Sequence, residues 1–201
     1  MCIRDSLNTG GMGAISPPPF VDEAMMQKVE ERIIKPTLTE IQNRKIDYKG
    51  FIFIGLISVE NEPYVIEYNC RMGDPETEVV LPRLKTDLLE LFNSLFDESL
   101  NNLSLEIKPK TAATVMLVSG GYPQKYEKGK VMSGIEAVEN SLIFHAGTKD
   151  SEGNVVTNGG RVMALTSFGD NFKEAVDQSL KNAEKVNFEG KNYRKDIGFD
   201  L

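Results

Sequence analysis

The chain has 201 residues, of which 40% are apolar and 26% charged, and its formal net charge at pH 7 is −7. This balance is typical of a globular protein of one large or two small domains, and the acidic surplus argues against nucleic acid or an anionic membrane as a partner. No apolar run approaches the ~18 residues of a membrane span. The two cysteines, Cys2 and Cys70, exclude a disulfide framework and suit a reducing cytoplasm.

The N-terminus is unusual. Residues 1–6 lack the charged-then-apolar pattern of a secretion signal, and they run directly into a glycine-rich segment that needs support on both sides. We therefore expect residues 1–6 to be a non-native leader on a truncated piece of a longer protein.

The glycine-rich segment covers residues 8–14 and ends in the prolines of residues 17–19. Glycine permits positive φ and a close approach of backbone to a ligand, and successive backbone N–H groups can cradle an anion. The segment is not a P-loop, because no Gly-Lys-Ser/Thr follows, and the dinucleotide fingerprint is also absent. A flexible loop stopped by prolines explains the same composition, so both interpretations stay open.

A long helix is predicted after this segment. Apolar residues at helical spacing cover residues 21–44, and Asp22 and Glu23 suit the N-terminus of a helix. Pro36 lies inside the pattern and should kink or divide the helix, because proline removes a backbone donor.

An antiparallel hairpin is predicted next. Residues 48–59 are rich in Phe, Ile and Val and read as a strand, residues 60–63 read as a turn, and the return strand begins at Tyr64. Pro75 suits the first turn of a following helix, and a further helix begins at about residue 86 or 87.

The second half of the chain is predicted to be richer in strands. We place a boundary near residue 105, which gives one domain over residues 7–104 and a small β-rich domain over residues 105–201. The predicted strands cover residues 112–118, 142–146 and 161–166. One amphipathic helix closes the chain, with Asp170 as its expected cap. The predicted fold class is α+β, with antiparallel strands and helices in both parts.

The return strand of the hairpin carries the most distinctive polar residues. If the strand continues through Arg71, alternation places Val65, Glu67, Asn69 and Arg71 on one face and Tyr64, Ile66, Tyr68 and Cys70 on the other. We expect the second face to bury its apolar residues. The first face presents two oxygen donors and a fixed positive charge, as a magnesium-nucleotide site requires. An ordinary half-exposed strand with polar residues outside has the same spacing.

Other polar residues give weaker signals. Asp74 and Glu76 add negative charge that costs stability unless it is partnered, which favours a functional role for this segment. His145 is the single histidine and is expected to be structural. The lysines at positions 125, 128 and 130 are expected to form a solvated loop face, and no zinc-ligand spacing occurs.

Several motifs together resemble the glycinamide ribonucleotide synthetase family. These enzymes, also called phosphoribosylamine–glycine ligases, are ATP-grasp enzymes of purine synthesis. The resemblance runs from Asn8 to the C-terminus and is most specific at residues 67–77. It is carried by Asn8-Thr9-Gly10-Gly11-Met12-Gly13-Ala14, Gly50-Phe51, Glu67-Tyr68-Asn69-Cys70-Arg71-Met72-Gly73-Asp74-Pro75-Glu76-Thr77, Gly120-Gly121-Tyr122-Pro123, His145-Ala146-Gly147-Thr148, Thr157-Asn158-Gly159-Gly160-Arg161-Val162 and Arg194-Lys195-Asp196-Ile197-Gly198.

The resemblance implies a fold, a reaction and a set of site residues. The fold would be the second part of an ATP-grasp domain followed by the small C-terminal domain. The family joins glycine to phosphoribosylamine with ATP as co-substrate, through a glycyl phosphate. The resemblance implies that Glu67 and Asn69 bind Mg²⁺ or Mn²⁺, and that Arg71 contacts the transferred phosphate. It also implies that Asp74 and Glu76 line the substrate side of the site. Arg71, Asp74 and Glu76 would be the catalytic residues. The substrate-binding loop would comprise Asn8, Thr9, Gly10, Gly11, Met12 and Gly13.

The sequence departs from the family in two places. Ile15 stands where many relatives carry tyrosine. The family's N-terminal domain and the first part of its ATP-grasp module, which would supply the nucleotide-clamping lysines, have no counterpart in this sequence. We therefore expect the chain to be the C-terminal half of the enzyme, to need the missing N-terminal half as its partner, and to be inactive alone.

Two alternatives remain. The chain resembles other ATP-grasp carboxylate–amine ligases and biotin-carboxylase relatives in its Glu-x-Asn-x-Arg strand, but not in the other motifs. A non-catalytic module that binds a nucleotide or a partner is the alternative from a different class. Loss of Glu67, Asn69 or Arg71 would favour that module, and all three are present.

Overall fold

The structure is a computed structural model that describes residues 7–199 and residue 201. The expected leader, residues 1–6, and Cys2 lie outside the described residues. The chain divides into two compact units, each built from separate segments of the sequence. Unit 1 comprises Met1–Ser16, Asp74–Arg83 and Lys108–Leu201, and unit 2 comprises Pro17–Gly73 and Leu84–Ile107. The assignment of residues 7–104 and 105–201 to separate domains stays a prediction.

The described residues form helices and antiparallel strands. The helices are α1 (Glu23–Val29), α2 (Lys35–Asn43), α3 (Thr77–Val80), α4 (Leu88–Ser94) and α5 (Phe172–Lys185). The strands are β1 (Gly13–Ser16), β2 (Phe53–Val59), β3 (Glu62–Asn69), β4 (Thr111–Val118), β5 (Ser141–His145), β6 (Thr148–Ser151), β7 (Asn154–Thr157) and β8 (Arg161–Gly169). The predicted α+β class is confirmed. No helix in the described part of the chain is long and apolar enough to cross a membrane.

Unit 1 is built on an antiparallel sheet with the strand order β1-β4-β8-β5. The central strands β4 and β8 are buried along nearly their whole length, as expected of strands covered on both faces. Leu117, Met163 and Leu165 are among the fully buried side chains, and full burial of one such side chain stabilises the fold by about 1.5–3 kcal/mol. This core gives the residues at the ends of its strands fixed positions.

The edge strand β1 corrects the sequence analysis. The region before Pro17 was predicted as a loop, but Gly13–Ser16 pairs with Ala112–Val115 of β4. A Cβ on Gly13 would lie 2.8 Å from the Thr114 carbonyl oxygen, so glycine allows the two backbones to approach. The glycine segment is therefore anchored to the central sheet of unit 1.

Helix α5 packs against this sheet as its apolar periodicity predicts, with Ala175, Val176 and Ala183 buried. The expected cap was wrong by one residue. The side chain of Asn171, not that of Asp170, accepts a hydrogen bond from the Glu174 N–H at 3.1 Å. The Glu174 carboxylate in turn accepts from the N–H of Asp170, the residue before the cap, at 2.9 Å.

Unit 2 begins with the predicted long helix. Asp22 caps α1 by accepting from the Met25 N–H at 2.8 Å. A π-helical turn, Glu30–Ile34, connects α1 to α2, in which Pro36 is the second residue. The wider turn changes the hydrogen-bond pattern at the residues where proline would remove an α-helical bond. Pro36 thus divides the α-helix without ending the helical path.

Strands β2 and β3 form the predicted hairpin of unit 2, but with a shorter turn. Glu60 and Asn61 both have positive φ, as in the two-residue turns that suit twisted hairpins. The register shifts between Gly55 and Leu56, so that Ile66 is the extra residue of a bulge in β3. The prediction that one face of β3 is buried was wrong, because Ile66 is 65% and Tyr68 50% exposed.

Candidate functional site

Glu67 and Asn69 lie side by side near the end of β3. The Asn69 side-chain amide donates to Glu67 Oε1 at 2.8 Å, so the two side chains are on one face of the strand. Glu67 is exposed and Asn69 is half-buried. Their carboxylate and amide oxygens are hard donors of the kind that Mg²⁺ and Mn²⁺ bind. A rotation of the Asn69 amide that exchanges its nitrogen for its oxygen would point the Asn69 oxygen and the Glu67 carboxylate at one cation.

The pair does not belong to a larger cluster of ligands. Within residues 7–199 there is no group of three or more His, Cys, Asp or Glu side chains that could hold a metal ion. Magnesium commonly takes one or two protein ligands and completes its shell with water and phosphate oxygens. The two donors on β3 therefore fit a metal that is bound together with a phosphorylated substrate.

Arg71 lies beyond the end of β3, which the structure places at Asn69. The premise that the strand continues through Arg71 was therefore wrong, and alternation does not fix the direction of its side chain. The Arg71 guanidinium is exposed and donates from Nη1 to the Met72 carbonyl at 2.9 Å. The remaining guanidinium donors can serve a phosphate group.

Asp74 belongs to unit 1, where it forms an ion pair that the sequence analysis did not predict. Arg161, the first residue of β8, donates from Nη1 to Asp74 Oδ1 at 2.9 Å and from Nη2 to Asp74 Oδ2. The same Nη1 also donates to the Gly11 carbonyl at 3.2 Å. Arg161 thus holds a predicted catalytic residue and the predicted substrate loop at once. The Thr157–Val162 motif, to which no role was given, was the available signal.

The backbone of the glycine loop is held by side chains and by strand β4. Gly10 N–H donates to the Tyr122 hydroxyl at 3.0 Å, and the Met12 carbonyl accepts from the Met116 N–H at 3.0 Å. A Cβ on Gly11 would lie 2.2 Å from Pro75 Cδ, so a larger residue would push the loop away from the Asp74–Pro75 turn. These contacts anchor the segment, and its role in binding a ligand stays a prediction. Asn8 and Thr9 are exposed at its start.

Two further carboxylates follow Asp74. Glu76 is half-buried and precedes α3 directly, and Glu78 lies on that helix. Among the described residues, Glu78 Oε2 is buried without a hydrogen-bond partner. Burial raises the pKa of Glu78, and the nearby charge of Asp74 raises it further, whereas Arg161 acts in the opposite direction. Sequence reasoning gave no signal for Glu78.

The remaining polar residues show local partners. His145 Nδ1 lies 2.8 Å from Thr148 Oγ1 at the end of β5. Lys130 forms ion pairs with Glu127 at 2.8 Å and Glu189 at 2.9 Å. Cys70 is exposed and is a free thiol.

The predicted site residues fall into two groups. Glu67, Asn69 and Arg71 belong to unit 2, and the glycine loop, Asp74 and Glu76 belong to unit 1. Within unit 2 the structure brings Glu67 and Asn69 together. Within unit 1 it brings Gly11 and Asp74 together through Arg161.

A match to an ATP-grasp domain model over residues 4–77 places the chain among ATP-grasp proteins, and its α+β fold agrees with that class. The family model described as "Phosphoribosylglycinamide synthetase, ATP-grasp (A) domain" matches residues 4–77, and the model for the C domain of the same synthetase matches residues 112–200. The chain belongs to the phosphoribosylglycinamide synthetase family.

Individual relatives agree with this assignment. The chain is 44% identical over 190 residues to a phosphoribosylamine–glycine ligase of Caldanaerobacter subterraneus, with 94% of this chain and 46% of that protein covered. The crystal structure of a phosphoribosylamine–glycine ligase from Thermotoga maritima has a TM-score of 0.83 and 36% identity, over 94% of this chain and 47% of that one. The chain thus spans about half the length of these relatives.

A more distant structure shares the fold alone. A Rhizobium etli pyruvate carboxylase structure has a TM-score of 0.62 at 14% identity, over 94% of this chain and 19% of that one. This similarity extends the fold beyond the synthetase family and carries no information on the substrate.

Proposed function

We propose that the chain supplies the metal-binding and phosphate-binding residues of an ATP-dependent ligase. The enzyme would join glycine to phosphoribosylamine and give glycinamide ribonucleotide, ADP and phosphate. The observation that carries this proposal is the contact of 2.8 Å between Glu67 and Asn69 on a strand matched by the ATP-grasp domain model. Relatives that are 44% and 42% identical to this chain bear the name phosphoribosylamine–glycine ligase, which supports the choice of substrates.

The proposed reaction has two steps. A glycine carboxylate oxygen attacks the γ-phosphorus of ATP, the bond to ADP breaks, and glycyl phosphate forms. The amine nitrogen of phosphoribosylamine then attacks the acyl carbon, phosphate leaves, and the amine loses a proton. Both steps develop charge on phosphate oxygens, so positioning and neutralisation of that charge supply most of the catalysis.

The residues of this chain have separate roles in that scheme. Glu67 and Asn69 would hold Mg²⁺ or Mn²⁺, and the bound cation would neutralise charge on the phosphate oxygens. Arg71 would turn its guanidinium donors from the Met72 carbonyl toward the transferred phosphate. The loop of residues 8–13 would cover the substrate, and Asp74 and Glu76 would line the substrate side.

We also propose that the residues that clamp the nucleotide lie in a segment that the relatives have and this chain lacks. These relatives are matched over only 46% of their length. The purified 201 residues alone should therefore release no ADP in a glycine-dependent manner.

The proposed setting is the cytoplasm, which fits the sparse use of cysteine.

Metal binding tests the site in the chain alone. Titration with Mn²⁺, followed by the EPR signal of the free ion, should show binding that Glu67→Gln weakens at least about tenfold, because the substitution removes the anionic ligand. Glu60→Gln, on the exposed turn of the same hairpin, is the matched control and should leave the affinity unchanged. Equal affinities of the wild type and Glu67→Gln would contradict the metal assignment.

A chimera tests the reaction. The matched segment of the Caldanaerobacter ligase is replaced by this chain, and ADP release is measured with glycine and phosphoribosylamine. Release should require both substrates and should fall at least about a hundredfold in Arg71→Met, which removes the phosphate contact. A folded, Mn²⁺-binding chimera that releases ADP only with another acid or amine would identify a different carboxylate–amine ligase. One that releases none with any substrate would favour a non-catalytic module.

A further inference from the structure

We propose that Arg161 is a positioning residue that fixes the substrate loop and Asp74 in one arrangement. Its meaning for catalysis rests on the proposed ligase function, but the positioning itself is a property of unit 1. Arg161 lies in the region matched by the C domain model, and the loop lies in the region matched by the ATP-grasp domain model. The inference thus gives the C domain a defined part in the candidate site.

The contacts of Arg161 reach two distant segments of the sequence. The Gly11 carbonyl, which accepts from Nη1, is 150 positions away, and Asp74, which takes both terminal nitrogens, is 87 positions away. The Arg161 side chain is only 22% exposed. A bidentate pair in a partly desolvated position has a defined geometry, which an exposed single contact does not provide.

Arginine is suited to this arrangement by its shape. The planar guanidinium presents several donors in a rigid fork, so one side chain can bind both oxygens of a carboxylate and a neighbouring carbonyl. Lysine keeps the charge but has no fork. Substitution by lysine therefore separates the geometric role of Arg161 from its electrostatic role.

Tyr122 holds the loop at a second point. Its hydroxyl accepts from the Gly10 N–H, and its ring packs so closely on Gly160 that a Cβ there would lie 2.3 Å from Tyr122 Cδ2. Gly160 immediately precedes Arg161 in the chain. The turn before β8 thus places both contacts of the loop, one through its own arginine and one through the tyrosine that it supports.

Hydrogen–deuterium exchange of the 201-residue chain tests the positioning. Arg161→Lys should raise the exchange rates of the amides of residues 10–12 at least about tenfold, while the amides of α5 and the interior of β8 keep their rates. Tyr122→Phe should raise the rate at Gly10 alone. The matched control is Arg44→Lys, because Arg44 donates from Nε to Glu40 Oε1 at 2.5 Å at the end of α2 in unit 2. The control should leave the loop within about twofold of the wild-type rates.

A second variant keeps the test decisive if Arg161→Lys does not fold. Asp74→Asn removes the ion pair without changing Arg161, and it should also raise the exchange of residues 10–12. The proposal is overturned if the loop amides keep wild-type rates in the folded variant. It is also overturned if every amide of unit 1 exchanges faster by the same factor, since that result describes a general loss of stability.

The catalytic consequence is measured in the chimera. Arg161→Lys should lower kcat at least about tenfold while the Mn²⁺ affinity stays unchanged, because the misplaced groups are the loop and Asp74. An unchanged kcat would overturn the catalytic part of the inference. If the wild-type chimera releases no ADP, the proposed ligase function fails, and the exchange result still decides whether Arg161 positions the loop.

Discussion

At the scale of the residue, Glu78 links burial to pH dependence. Its Oε2 atom is buried, and burial raises the pKa of its carboxyl above the value in the unfolded chain. A raised pKa in the folded state means that stability is fully present below the unfolded pKa, about 4.3, and is lost as the pH rises through the folded pKa. The ionised form of Glu78 therefore destabilises unit 1.

The variant Glu78→Gln should not lose free energy of unfolding in this way as the pH rises. Its free energy of unfolding relative to the wild type should increase as the pH rises above about 4.3, by less than about 1.4 kcal/mol because the side chain is only partly buried. Denaturant unfolding at pH 4, 5, 6 and 7 measures the difference. Glu136→Gln, which removes the same charge from an exposed position, corrects for net charge. A difference that is constant across this range would contradict the assignment.

At the scale of the element, sequence patterns predicted the helices and hairpins that contacts between nearby residues stabilise. Helix α5 and the β2–β3 hairpin follow directly from periodicity and turn residues, because their hydrogen bonds join residues close in sequence. The side-by-side placement of Glu67 and Asn69 follows from strand alternation in the same way. Alternation did not predict that Ile66 is exposed, because a bulge adds a residue that no sequence pattern marks. Alternation also does not show whether anything covers a given face of a strand.

The cap of α5 gives a test at this scale, since two neighbouring residues compete for the role. Asn171→Ala should lower the free energy of unfolding by about 1 kcal/mol, because it removes the acceptor for the Glu174 N–H. Asp170→Ala should cost less than about 0.5 kcal/mol, since its side chain forms an exposed ion pair with Lys110. Thermal unfolding of both variants measures the costs, and a larger cost for Asp170→Ala would contradict the assignment of the cap.

At the scale of the whole molecule, the contacts that sequence reasoning missed are those between distant segments. Strand β1 is only four residues long and pairs with a strand about a hundred positions away, so neither length nor periodicity identifies it. Arg161 was missed for the same reason, because its partners lie 150 and 87 positions away. Only the resemblance to a family marked its surroundings, and a resemblance gives no contact.

The pairing of β1 predicts the effect of shortening the chain. Removal of residues 1–16 should expose the edge of β4 and take Met12 and Ile15 from their packing against the sheet, at a cost of at least about 2 kcal/mol in the free energy of unfolding. The β4 amides that pair with β1 should exchange faster, and the exposed edge should favour self-association at high concentration. Hydrogen exchange and light scattering measure the two effects.

Removal of residues 1–6 is the matched control. Their loss keeps β1 in the chain, so it should leave the exchange of β4 unchanged. Equal protection of β4 in both shortened chains would show that the sheet of unit 1 is stable without β1.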